Sequence, residues 1–137
     1  MRWFLTYTMA VLVIITFITL GEALAKDVCV QDNQGGLWVF KSIKPLTKPH
    51  QFSPLQGVWT NFGFVGPFHG QAYVESDGTV NIGVFVHNNI DGVSFTVLLR
   101  GSDFDTASGP FDNGPNGVNE GTVTFTGSVD CRTVTLP

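Results

Sequence analysis

Phe68-His69-Gly70-Gln71-Ala72-Tyr73-Val74-Glu75-Ser76-Asp77-Gly78-Thr79-Val80-Asn81-Ile82-Gly83-Val84-Phe85-Val86-His87 carries the clearest structural signal in the chain. Two runs of alternating apolar residues flank Ser76-Asp77-Gly78, the pattern of a β-hairpin. A two-residue Asp77-Gly78 turn would set Ser76 opposite Thr79 and mix polar and apolar side chains on both faces. A three-residue loop with Gly78 left-handed instead sets Glu75 opposite Thr79. It follows that Val80 faces Val74, Ile82 faces Ala72, Val84 faces Gly70 and Val86 faces Phe68. That register makes one face wholly apolar, as burial of a single face demands. The other face then carries His69, Gln71 and Tyr73 beside Asn81, Gly83, Phe85 and His87. His69 lies opposite Phe85 and diagonal to His87.

Outward from this hairpin, short Val-, Phe-, Thr- and Ile-rich runs recur between glycine and Asx turns, and no apolar stripe holds helical spacing for three turns. The expected strands are Val28–Gln31, Leu37–Ile43, Gly57–Phe64, Phe68–Glu75, Thr79–His87, Val93–Arg100, Gly121–Thr126 and Val129–Leu136. About eight strands predict an all-β fold, a single small antiparallel barrel or sandwich. Lys44–His50, broken by Pro45 and Pro49, reads as a connection. So does Ser102–Glu120, with its acids, glycines and prolines.

The chain has 137 residues, 43% hydrophobic and 13% charged, with a net charge of −4. That balance excludes a disordered chain and disfavours a nucleic-acid partner, which calls for a basic face. The amino terminus has the order of a secretory signal peptide: Arg2, an apolar run from Met9 to Leu20, then Ala23-Leu24-Ala25. Cleavage after Ala25 gives a leader over 1–25 and an all-β domain over 26–137. Removing 25 of the 137 residues leaves 112, still at −4 because the leader holds one arginine and one glutamate. The competing reading is a retained membrane anchor, against which the threonines at 6, 8, 16 and 19 and Gly21-Glu22 count. The expected location is secreted, extracellular or periplasmic, with no membrane association after cleavage. Cys29 and Cys131, one near each end of the domain, predict one disulfide in that compartment. No CxxC motif supports a redox pair.

No G-x-S-x-G, HExxH, P-loop or G-x-G-x-x-G motif is present, so the expectation is no enzyme and no cofactor. Three features remain as candidate sites. His69 and His87 share one hairpin face, the arrangement for a divalent ion with a third ligand from a loop, and hence for a metal-dependent hydrolase. The plainer alternative is two histidines on a half-exposed sheet. Asp103, Asp105, Asp112 and Glu120, with Asn116, offer hard oxygen ligands for calcium on a glycine-rich segment. Asp112-Asn113-Gly114-Pro115-Asn116-Gly117 starts like an EF-hand loop but lacks its third and twelfth ligands. As the alternative, these are solvated loop residues. Finally, Trp38, Trp59, Phe62, Phe64 and Phe68 either line an apolar cavity or surface or fill the core.

Gly57-Val58-Trp59 resembles the G-x-W motif of lipocalin and avidin-type barrels, whose tryptophan packs across one end of the barrel. The resemblance implies a closed antiparallel barrel with a ligand cavity. Together these readings point to a secreted binding module for a small ligand or partner protein, acting through His69, Tyr73, Phe85 and His87 or near Trp59. The alternative is a structural subunit assembled through exposed strand edges or the Lys41–Pro54 segment.

Overall fold

The computed structural model describes residues 24–87, 94–112 and 120–136. Most of the expected leader, 1–23, lies outside them. Eight antiparallel strands each pair with the next in sequence, and the last returns to the first, so the sheet closes into an up-and-down barrel rather than a sandwich. The strands are β1 (Lys26–Asp32), β2 (Leu37–Ile43), β3 (Phe52–Asn61), β4 (Phe64–Val74), β5 (Val80–Val86), β6 (Phe95–Gly101), β7 (Ser108–Asp112) and β8 (Glu120–Val129). Among the described residues no helix is long and apolar enough to cross a membrane.

The 68–87 hairpin has the register read from its alternation: Val74 pairs with Val80, Ala72 with Ile82, Gly70 with Val84 and Phe68 with Val86. Gly78 is left-handed at φ 88°, its N–H donates to the Glu75 carbonyl, and the Glu75 N–H donates to the Thr79 carbonyl. The Asp77 carboxylate holds the turn by accepting from the Thr79 N–H at 2.9 Å.

Three expected elements change. Gly57–Phe64 is not one strand, because the chain reverses at Phe62-Gly63, where φ is 47° and 83°. Positive φ at both central residues is the type I′ pattern, whose twist suits a tight hairpin. The strand entering that turn begins earlier, at Phe52, and carries the exposed Pro54. Ser102–Glu120 is not a plain connection either. It contains a 3₁₀ turn, Phe104–Thr106, and β7, whose Gly109 lies so close to β6 that a β-carbon would run into the Leu98 carbonyl oxygen. Lastly, Val129–Leu136 is no strand: β8 runs through Gly127 to Val129, and a 3₁₀ turn, Cys131–Thr133, follows.

The barrel interior is packed with aromatic rings. Trp38, fully buried, contacts Phe68, Phe125, Trp59, Phe40 and Phe95 at centroid distances of 5.5 to 6.5 Å. From the loop before β7, Phe104 packs edge-on against Phe40 at 4.8 Å. Around these rings lie aliphatic side chains, most of them from β4, β5 and β6, with Val30, Ile43, Leu55 and Val123 from the other strands. A disulfide joins Cys29 and Cys131, with Cα atoms 5.3 Å apart. Since Val30 points inward on β1, Cys29 points outward, and the bond ties the C-terminal segment to the outside of the barrel.

Candidate functional site

With the interior occupied by side chains, the outward positions of β3 to β6 form the candidate surface. The registers arrange them in rows across four strands. Phe52, Tyr73, Asn81 and Arg100 make one row. Pro54, Gln71, Gly83 and Leu98 make the next, and Gln56, His69, Phe85 and Thr96 the third. Phe52 and Leu98 are 57% and 59% exposed, high values for such apolar side chains, and Tyr73 is exposed beside them. A Leu98 methyl lies beside Gly83, which has no side chain of its own to cover it. Arg100 is the only formal charge in these rows at neutral pH with His neutral, and it is ion-paired with Glu75 at 3.0 Å. Asn81 also donates to Glu75.

His69, Phe85 and His87 form one ring cluster. His87 Nε2 and His69 Nδ1 are 3.3 Å apart, with the rings stacked at 28° and 5.2 Å between centroids. Phe85 meets His87 edge-on at 4.6 Å and His69 at 5.8 Å. The barrel fixes this cluster from below, because the His87 N–H donates to the Pro67 carbonyl at 2.9 Å. Tyr73 belongs to the same face but not to the cluster. Its hydroxyl shares a hydrogen bond with His50 Nδ1 at 2.9 Å, so the β2–β3 loop supplies a third histidine that hairpin alternation alone does not place here.

Trp59 is elsewhere. It pairs with Trp38 across β2 and β3 and packs edge-on against Phe95 at 5.0 Å, half-buried at one end of the barrel. Beside it the buried Asp32 carboxylate accepts hydrogen bonds from Trp38 Nε1, the Gly36 N–H and the Gln34 N–H, each at 2.8 Å. The three donors satisfy acceptor oxygens that would otherwise be costly to bury.

The four acidic residues fall into two groups. Asp103 occupies the N-cap position of the 3₁₀ turn before β7 and Asp105 lies within it, where Asp103 accepts from Ser102 Oγ and Asp105 from Ser128 Oγ. Asp112 and Glu120 are register partners at the opposite end of β7. Four residues of extended chain separate the ends by about 13 Å. Asn113 to Gly117, which includes Asn116, lies outside the described residues. Among the described residues no group of three or more His, Cys, Asp or Glu side chains could hold a metal ion.

Displaced carboxylates lie away from the outer face of β3 to β6, at turns and ends. The Lys41 ammonium and the Ser42 N–H hold Asp27 below the usual carboxylate range, Arg132 does so for Asp130, and the Thr79 N–H does so for Asp77.

Sequence reasoning missed Phe52, Leu98 and His50. Leu98 was legible in the run Val97-Leu98-Leu99, where alternation directs the middle residue outward. Comparison with known proteins found no matching family, curated protein or solved structure.

Proposed function

We propose that this chain is an exported, non-catalytic binding module that engages a partner protein through the outer face of β3 to β6. The observation that carries the reading is the division of its large side chains. Most of the rings fill the barrel, while Phe52, Leu98 and Tyr73 stand exposed on a face whose formal charge is confined to the Arg100–Glu75 pair. Aromatic anchors with few charges at the centre are the composition of protein interfaces. A filled interior supports an external site over an enclosed small-ligand site. Export is supported by the leader pattern of 1–25 and by the Cys29–Cys131 disulfide, a bond that persists in oxidising compartments. Assembly through free strand edges finds less support, since the closed sheet pairs all eight strands.

Site-specific photocrosslinking in the native host tests this. A crosslinking residue at position 98 or 52 is expected to give discrete adducts, and one at the exposed Thr126 none. Equal labelling from all three positions refutes the assignment of this face. Fusion of the leader to a reporter active only outside the cytoplasm tests export independently.

A further inference from the structure

The geometry points to a zinc site at His69 and His87, open to solvent on the outside of the barrel. Two nitrogens bound to tetrahedral zinc at 2.0–2.1 Å stand about 3.3 Å from one another, whereas a right-angled square-planar pair stands about 2.8–2.9 Å apart. The His69 Nδ1 to His87 Nε2 separation is 3.3 Å. The imidazole pair is therefore already spaced as two ligands of a tetrahedral ion, before any ion is added.

Preorganisation comes from the barrel rather than from a loop. His69 is paired with Phe85 in the β4–β5 ladder, and the His87 backbone is bonded to Pro67, two residues before His69. Phe85 packs on both imidazoles and restricts their rotamers. Zinc bound here uses the lone pair of His69 Nδ1 and that of His87 Nε2, so the ring protons move to His69 Nε2 and His87 Nδ1. The facing nitrogens need only exchange their shared hydrogen bond for the ion. Gln56 is the register neighbour of His69 on β3, and it too is exposed. The remaining coordination positions stay with water or receive a donor atom from a docked partner. In that last respect the inference deepens the reading of this face as a docking surface, and its test uses different residues so that the two can fail separately.

Equilibrium dialysis of the purified, disulfide-intact protein against zinc chloride decides the matter. One zinc per chain is expected, with affinity reduced about tenfold or more in His69→Ala and in His87→Ala and unchanged in His50→Ala. Thermal melts of each variant check that the barrel persists. In the NMR spectrum zinc is expected to shift the ring signals of His69 and His87 together. Wild type binding no more tightly than His69→Ala, or ring shifts confined to one histidine, overturns the inference. If zinc binding fails while crosslinks persist from position 98, the metal site is wrong and the docking face stands. Zinc binding without those crosslinks upholds the metal site and removes the docking face.

Discussion

Breaking the Cys29–Cys131 bond tests how the barrel is closed. The two cysteines are 102 positions apart, and the bond sits beside the seam where β8 returns to β1, with Cys29 itself paired to Val129. Disulfide and seam therefore close nearly the same loop. In the chain-entropy model, freeing a loop of about 100 residues in the unfolded state costs roughly 4.7 kcal/mol of stability. A domain of this size has only about 5–15 kcal/mol in total. The variant of choice is Cys131→Ser, because Cys131 is only partly buried and its loss leaves no core cavity. With a urea m-value of roughly 1–1.5 kcal/mol/M for so small a domain, the midpoint is expected to fall by about 3 M or more. Amide exchange should locate the loss, with β1 and β8 losing protection ahead of β4 and β5. A fall of less than about 1 kcal/mol, measured with m unchanged, refutes the closure argument.

Other perturbations probe separate parts of the chain. Phe62 is 87% exposed and left-handed. Phe62→Asn is expected to stabilise the barrel by about 1 kcal/mol in thermal melts, as the strain is relieved and no burial is lost. Asp32→Ala leaves the Trp38 and Gly36 donors buried without their acceptor, and should cost at least about 2 kcal/mol in tryptophan-monitored urea unfolding. An unchanged midpoint would refute that role. Acid unfolding tests the displaced carboxylates. Asp27 and Asp130 have native pKa values below the ordinary 3.8, so the unfolded chain binds more protons and stability rises with pH there. Their contribution is complete above the unfolded value and disappears as pH falls through the lowered native values. Urea midpoints measured from neutral to strongly acid pH should fall less steeply in Asp27→Asn and Asp130→Asn than in the parent.

Local sequence was enough for the all-β class and, at residue resolution, for the β4–β5 hairpin. Both follow from local causes: strict alternation with one buried face leaves a single consistent register, and Gly78 admits the loop that register needs. The outward placement of His69, Tyr73, Phe85 and His87 came from the same alternation. So did the pairing of the two cysteines follow from the chain alone, there being only two. Closure was decided by tertiary structure. β7 reads Ser108-Gly109-Pro110-Phe111-Asp112, which local propensity assigns to a loop, yet the gap between β6 and β8 requires a strand there, and at Gly109 only a glycine clears the Leu98 carbonyl. The reversal at Phe62-Gly63 was hidden because phenylalanine is a poor resident of a left-handed turn, tolerated when the strands on either side fix the backbone. Likewise, alternation could place His69 and His87 on one face. Their 3.3 Å approach, and the reach of His50 across to Tyr73, depend on barrel curvature and on a loop folding back, which involve residues far apart in the chain.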